Sequence, residues 1–282
     1  MKQLETLIQQ SILEDAPTGD ITVNSLFSTP TAAKANLVAK QAGIFYGSTI
    51  IQTIFNLYDK KATLTIYVQD GQKLKKGDLI CSIVSTHHIL LLIERTLLNL
   101  LQRLSGIATL THTFVTTLNN PKIAICDTRK TTPGLRFLEK SAVKAGGGTN
   151  HRIGLSDMIL IKENHLKVLE HSQRLNQLPI LLQNAKQKSS DLLVEIEIEA
   201  IEQLTQLDLS LCDYIMLDNF SLSDLPAACA SCRQLYPHAQ IEISGNVTLD
   251  NIAQYKDFDI DRISIGALTH SVCALDISLL IT

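Results

Sequence analysis

The sequence predicts an α/β protein in two parts, a mixed α/β unit over roughly the first hundred residues and then a small or incomplete α/β barrel. Two observations predict it. Beyond about residue 120 short apolar strands alternate with helical stretches in six units, KIAICDT, DMILIKEN, LLVEIEIE, YIMLDNF, QIEISGN and RISIGAL, the signature of a parallel sheet wrapped by helices. No G-x-G-x-x-G follows any of these strands, which argues against an open dinucleotide-binding sheet.

In chain order, hydrophobic periodicity places a helix near Leu4–Leu13, a turn at Ala16–Asp20 and strands at Ala35–Ala39 and Ala62–Val68. The phrase VQDGQKLKKGDLICSIV sets glycine turns at Gly71 and Gly77 between strands, much like the hammerhead of biotinyl-type domains. It lacks the Met-Lys-Met centre of a swinging-arm carrier, so it is scaffold. From His88 to about Asn119 leucines and isoleucines recur at helical spacing, with Ser105-Gly106 as a bend and a hinge between domains. The expected boundaries are residues 1–105 for the N-terminal domain and 106–269 for the barrel. The tail, 270–282, is expected to be helical from Val272 onward and to pack back on the first domain.

With 282 residues, 45% hydrophobic and 19% charged, and a net charge of −3, the chain has the composition of a soluble globular enzyme. The longest apolar run of its leucine-rich stretch, Ile89 to Ile93, stops at Glu94 and Arg95, far short of the ~20 residues of a membrane helix. Six scattered cysteines and a charged, amphipathic opening segment, MKQLETLIQQSILED, point to reduced thiols in the cytoplasm. Cys229 and Cys232 have C-x-x-C spacing, but no second pair completes a zinc site and LPAACASCRQL is helix-like, so neither metal nor redox use is expected and their role is open.

Charge is uneven. Arg129 to Lys167 holds eight basic and three acidic residues, a net +5 that leaves −8 for the rest of the chain. An isolated basic island suits a compact anionic ligand better than a nucleic acid, which calls for a broad basic face. Lys140 and Lys144, at i, i+4, read as a solvated helix face.

Each polar cluster falls at the C-terminal end of a predicted strand, where α/β barrels place their chemistry. The last two strands end in Ser244-Gly245-Asn246 and Ile265-Gly266-Ala267, loops that suit a phosphate because glycine admits close backbone approach and free amides open the next helix. Glu195, Glu197 and Glu199 share one face of their strand by period 2 and stand beside Asp218 of MLDNF. Their mutual repulsion calls for cations or ribose hydroxyls, and Mg²⁺ carried by a pyrophosphate would serve. The densest run, DTRKTTPGLRFLEKSAVKAGGGTNHRIGLSDMILIKENH, offers Arg129, Lys130, His151, Arg152, Lys162 and His165 around a flexible Gly146-Gly147-Gly148 loop. Arginine grips carboxylates with two parallel hydrogen bonds and lysine supplies a point charge to phosphate, so a ligand set with adjacent carboxylates and a polyphosphate fits.

That run, together with ERTLLNLLQRLSGIAT, EDAPTGDIT, VEIEIE, MLDNF, EISGNV and DRISIGALTHS, resembles the signature of the quinolinate phosphoribosyltransferases in order from about Glu14 to Ser271. The resemblance implies a type II phosphoribosyltransferase fold, an N-terminal open sandwich plus an incomplete seven-stranded α/β barrel. The implied reaction joins quinolinate to phosphoribosyl pyrophosphate (PRPP), with Mg²⁺, and gives nicotinate mononucleotide, carbon dioxide and pyrophosphate for NAD biosynthesis. Homodimers, or larger assemblies of them, are implied as well, with Arg95 reaching the neighbour's site. Carried over by motif, Arg129, His151, Arg152 and Lys162 contact quinolinate, Lys130 lies between the substrates, and Glu197 and Asp218 face the ribose and Mg²⁺. Glu197 is chosen by its spacing to Asp218, with Glu195 and Glu199 open. Ser244, Gly245 and Gly266 hold the 5′-phosphate together with Asn246, which stands where many relatives have a second glycine. Asparagine tolerates positive φ.

The rival readings are the related protein of molybdenum transport, which tends to lack the lysine that Lys162 supplies, nicotinate phosphoribosyltransferase, whose motifs fit less well, and a ligand sensor that has lost catalysis. The joint presence of Arg129, Lys130, His151, Arg152, Lys162, Glu197 and Asp218 argues against the sensor.

Overall fold

The strands of the computed structural model, which describes residues 2–189 and 191–282, are β1 (Ala32–Ala39), β2 (Gly43–Ile44), β3 (Thr63–Ile66), β4 (Lys73–Leu74), β5 (Leu79–Thr86), β6 (Ala124–Cys126), β7 (Ile159–Ile161), β8 (Val194–Ile198), β9 (Tyr214–Asp218), β10 (Gln240–Ser244), β11 (Arg262–Ser264) and β12 (Ile277–Ile281). The helices are α1 (Lys2–Asp15), α2 (Ile21–Leu26), α3 (Ser48–Tyr58), α4 (His87–Leu118), α5 (Arg136–Ala145), α6 (Glu163–His171), α7 (Leu178–Lys188), α8 (Gln203–Gln206), α9 (Leu225–Leu235) and α10 (Ala267–His270). No helix among the described residues is long and apolar enough to cross a membrane.

One unit comprises Met1–His112, Thr132–Gly147 and Ser271–Thr282. Its antiparallel sheet has the order β12-β1-β5-β3, and Ala35, Leu37 and Ala39 of β1 alternate into the core. Gly71 and Gly77 turn the chain at φ +85° and +96°, as their phrase predicts. The tail departs from its expected helix. It forms β12, paired antiparallel with β1 from Ala35↔Ile281 to Ala39↔Ile277. Leu275, Ile277 and Leu279 are the buried positions, a period of two that the apolar composition of the segment hides.

The expected bend at Ser105-Gly106 is also absent, since α4 runs unbroken for 32 residues. The two small residues serve packing. Ser105 Oγ accepts from Tyr46 N at 3.1 Å and donates to Tyr46 O at 3.2 Å, and a Cβ on Gly106 would lie 2.3 Å from Cys273 O. The stretch 132–147, expected in the barrel, belongs to this first unit. Arg103 grips the buried Glu139 through Nε and Nη2 at 2.9 and 2.7 Å, and Glu139 Oε2 accepts from Thr132 N at 3.1 Å. Lys140 is buried rather than on a solvated face, and only Lys144 is exposed. Gly146, expected to be flexible, is packed so tightly that a Cβ would lie 2.3 Å from Ala108 O.

The other unit, Thr113–Thr131 and Gly148–His270, holds the six predicted strands in one parallel sheet of order β6-β11-β10-β9-β8-β7. The last strand of the unit therefore lies beside its first, as barrel winding requires. Among the described residues a lone parallel bridge, Cys126↔Thr149, stands at the β6 edge in the place of a seventh strand. Every residue of β8 is buried. Val194, Ile196 and Ile198 share one face, and Glu195 and Glu197 share the other.

Gly106→Ala separates packing from propensity. Helix propensity alone favours alanine by about 0.5–1 kcal/mol, whereas forcing a methyl into a filled site costs about 1–3 kcal/mol. A lower melting temperature for Gly106→Ala is expected. An unchanged or raised one would return the site to the role of a hinge.

Candidate active site

The C-terminal ends of the parallel strands open into a cleft of about 850 Å³. Its lining includes Arg129 and Lys130 after β6, Lys162 after β7, Glu197 and Glu199 on and after β8, Asp218 at the end of β9, Ser244-Gly245-Asn246 after β10 and Gly266 after β11, together with His151 and Arg152. Eleven of the twelve residues singled out from the sequence therefore share one cavity. The twelfth, Arg95, lies on α4 in the other unit, more than half exposed and ion-paired with its neighbour Glu94. Of the eight cations in the basic island, Arg129, Lys130, Arg152 and Lys162 line the cleft.

One wall of the cleft is short of negative charge. The Nε atoms of Arg129 and Arg152 are buried without a hydrogen-bond partner. Burial lowers the pKa of Arg152, and the Arg129 guanidinium lowers it further. Two guanidiniums held this close are stabilised by an anion that bridges them. Arg152 is braced by an Nη1 hydrogen bond to Met158 O at 3.1 Å. Lys162 stands at the start of α6, where its backbone N–H donates to His165 Nδ1 at 3.0 Å, which makes His165 a capping residue. The Lys162 ammonium is bonded to Glu197. Burial raises the Glu197 pKa, Lys162 lowers it, and Asp218 raises it.

Beneath the wall is a buried charge cluster. Glu195 Oε2 lies 3.0 Å from both His151 Nε2 and Arg262 Nη2. Glu242 lies 3.4 Å from His151 Nε2 and is bonded to Arg262 Nε, and the Arg262 guanidinium stacks 3.5 Å over the Tyr214 ring. Both glutamates are fully buried. Asp127 Oδ1 fixes the chain here by accepting from His151 N at 2.9 Å. His151, Glu195 and Glu242 could offer three metal ligands, but Arg262 already supplies the cation between the carboxylates. The backbone N–H of Arg152 lies 2.8 Å from His151 Nδ1, which favours the neutral ring. A neutral ring with both glutamates ionised would leave one uncompensated negative charge in the core, the costlier outcome. Burial opposes the imidazolium, but hydrogen bonds and attraction from Glu195 and Glu242 outweigh it and carry the His151 pKa up to about 9.

The opposite wall consists of the two loops that suit phosphate. Gly245, at φ +90°, has no room for a side chain, because a Cβ would lie 2.1 Å from Asn219 Oδ1. Asn246 takes φ +53°, the conformation expected of its turn. Thr269, fully buried, donates from Oγ1 to Lys130 O at 2.7 Å and so holds the Lys130 loop.

Of the three alternating glutamates, Glu197 and Glu199 reach the cleft, while Glu195 belongs to the cluster below it. Sequence reasoning missed Glu242, Arg262, Asn219, Thr269 and His270. The first two carried a signal, charges inside the apolar strands QIEIS and DRISI, which are rare without a buried partner. Cys229 and Cys232 are buried in α9, and burial raises their thiols to about 11 and about 12.

An incomplete parallel barrel whose mouth sets cations against carboxylates, between loops shaped for phosphate, defines the phosphoribosyltransferase class of barrel. The family models "Quinolinate phosphoribosyl transferase, N-terminal domain" and "C-terminal domain" match residues 20–105 and 107–280, and the chain belongs to this family. It is 42% identical over 285 residues to "Probable nicotinate-nucleotide pyrophosphorylase (carboxylating)" of Bacillus subtilis, with 99% of this chain and 94% of that protein covered. It is 34% identical to the nicotinate-nucleotide pyrophosphorylase (carboxylating) of Mycobacterium leprae, over 96% of this chain and 95% of that one. Among solved structures, NadC from Streptococcus pyogenes superposes with a TM-score of 0.89 at 36% identity and covers 99% of this chain and 98% of its own.

The charge cluster has a pH signature. An imidazole whose pKa rises from its ordinary 6.5 to about 9 on folding contributes stability that is complete below about pH 6.5 and lost as pH rises through about 9. Melting temperatures of the wild type and His151→Gln are expected to differ most near pH 6 and to converge at about pH 9.5. A gap that stays constant over that range would take the imidazolium out of the cluster.

Proposed function

We propose the following division of labour for this quinolinate phosphoribosyltransferase, which transfers the phosphoribosyl group of PRPP to the nitrogen of quinolinate with loss of carbon dioxide, forming nicotinate mononucleotide and pyrophosphate. The observation that carries it is the two-sided cleft, with Arg129, Arg152 and Lys162 on one side and Asp218 with the Ser244–Asn246 loop on the other. Quinolinate is a dianion, and the under-neutralised guanidiniums of Arg129 and Arg152 suit its two carboxylates. The His151 imidazolium, held against Glu195 and Glu242, offers the ligand charge and ring surface. Lys162 exchanges Glu197 for a quinolinate carboxylate, and this frees Glu197 toward the ribose. Ser244, Gly245, Asn246 and Gly266 hold the 5′-phosphate, and Lys130 lies between the two substrates.

As the C1–pyrophosphate bond breaks, C1 of the ribose gains positive character that Glu197 and Asp218 stabilise, and Lys130 takes up charge on the leaving group. The quinolinate nitrogen, held in line by the arginines, forms the new bond to C1. The cationic ring then stabilises the electron pair left on C2 as that carboxylate departs as carbon dioxide, and a proton replaces it. Asp218, an oxygen donor at the cleft wall, fits Mg²⁺, while Glu197 fits it less well because it is ion-paired to Lys162. Mg²⁺ bound with PRPP supplies charge neutralisation to the pyrophosphate. The protein works as a homodimer in which Arg95, exposed on α4, completes the neighbour's quinolinate site. Six free cysteines, five of them buried, fit a reducing cytoplasm.

Turnover of quinolinate and PRPP, with Mg²⁺ present or omitted, tests the reading. Nicotinate mononucleotide is expected only with Mg²⁺, and Lys162→Ala is expected to weaken quinolinate binding by one to two orders of magnitude, the loss of a charged hydrogen bond of about 1.5–3 kcal/mol, while nicotinate binding changes far less. Binding without turnover would make the protein a sensor, and equal loss for both ligands would remove Lys162 from the dianion site. The shared site has its own check. Arg95→Ala and Lys162→Ala proteins, each inactive, are expected to regain partial activity when mixed, and no recovery despite demonstrated subunit exchange would confine the site to one chain.

A further inference from the structure

Asn219 follows Asp218 directly and has been given no role so far. It sits at φ +58°, a left-handed conformation that asparagine adopts more readily than most residues, and its backbone N–H donates to Ser244 O at 2.9 Å. Held there, its side chain is used at both ends. Nδ2 donates to Asp218 Oδ2 at 2.6 Å, and Oδ1 accepts from Asn246 Nδ2 at 3.1 Å. Turning the amide over would set a carbonyl against the Asp218 carboxylate and an NH₂ against the NH₂ of Asn246, so the network fixes its direction. Asn246 is anchored in turn. Its carbonyl accepts from Asn251 Nδ2 at 2.9 Å, and Asn251 Oδ1 accepts from Thr248 N at 2.8 Å. The missing Cβ of Gly245 makes the space that Asn219 Oδ1 fills.

We propose that Asn219 is a positioning residue that ties the Asp218 carboxylate to the Gly245–Asn246 loop, with Asn246 as its anchor, so that the ribose and 5′-phosphate ends of PRPP are gripped as one rigid unit. The inference rests on the reading of Asp218 and this loop as the phosphoribosyl half of the site. It is separate from the quinolinate half, because neither asparagine bonds to Arg129, His151, Arg152 or Lys162 in the network just described. Rigidity here serves affinity. A carboxylate and a loop already joined need not be ordered one after the other when the ligand arrives.

The test uses full-length Asn219→Gly, Asn246→Gly and the double variant, since glycine accepts positive φ and only the side-chain bridge is lost. Calorimetry with ribose 5-phosphate and with quinolinate is paired with KM for PRPP and for quinolinate. Asn219→Gly is expected to weaken ribose 5-phosphate and raise KM for PRPP by about tenfold, and Asn246→Gly by about threefold. The double variant is expected to be no worse than Asn219→Gly, because the two share one interaction, with the quinolinate values within about twofold throughout. Independent, multiplying losses in the double variant, or equal losses toward both substrates, overturn the proposal. If Asn219→Gly does not fold, Asn219→Asp keeps the acceptor for Asn246 and opposes Asp218 with a carboxylate. It must show the same PRPP-selective loss, and unchanged PRPP affinity overturns the link. Asp218→Asn distinguishes the two levels. If it weakens PRPP while the Asn219 variants do not, the bridge alone fails, and if it leaves PRPP and ribose 5-phosphate unaffected, the underlying reading and the bridge fail together.

Discussion

The His151–Arg152 side of the barrel mouth stands on the Glu195–Arg262–Glu242 cluster inside it. Glu195 of β8, Glu242 of β10 and Arg262 of β11 meet in the interior, and His151 closes the group from the loop that also carries Arg152. Ions removed from water are tolerated only when paired with good geometry, and the loss of one partner typically costs about 3–5 kcal/mol. The cluster therefore fixes more than its own members. It sets where the His151–Arg152 segment runs, and so where the Arg152 guanidinium faces Arg129. Apolar residues of similar volume could fill the same space, but they would leave the imidazole without an anchor and the cleft without its nearest buried countercharge.

The same arrangement explains how a cleft whose lining sets four carboxylates against four arginines and lysines keeps one cationic wall. Carboxylates compensate the cations at different depths. Glu195 and Glu242 lie beneath the wall and belong to Arg262 and His151. Glu197 lies at the wall and belongs to Lys162. Arg129 and Arg152 have no such partner at Nε. The gradient, neutralised below and open above, makes the site attractive to anions without leaving an unpaired charge in the core.

Much of this was legible in the sequence, because the barrel repeats a simple pattern six times. Each strand was visible as a short apolar run, and most of the residues that line the cleft stood visibly at strand ends. The choice among Glu195, Glu197 and Glu199 was beyond period-2 reasoning, which assigns all three to one face and says nothing of depth. The tail was misjudged because an apolar composition satisfies either period until a partner strand is known, and here that partner is β1, more than two hundred residues away. Ser105-Gly106 looked like a break because small residues weaken a helix locally. In α4 the same smallness admits neighbouring backbone, and tertiary packing overrides propensity. Lys140 and Glu139 were hidden for a related reason. Nothing local to α5 reveals that Arg103, on another helix, receives Glu139.

The Lys162–Glu197 pair is the point at which fold and chemistry meet. Lys162 stands at the start of α6 and Glu197 on a fully buried strand, and the part-exposed ammonium neutralises the buried carboxylate. In the proposed reaction this pair is a placeholder: an entering carboxylate would take over the lysine and leave the glutamate beside Asp218 for the ribose. Burial raises the pKa of Glu197, the Lys162 ammonium beside it lowers it, and Asp218 raises it, so the lysine is the group that offsets the burial of this carboxylate. On that reading, binding of one substrate prepares the electrostatics that the other needs, by an exchange of ion-pair partners at the wall.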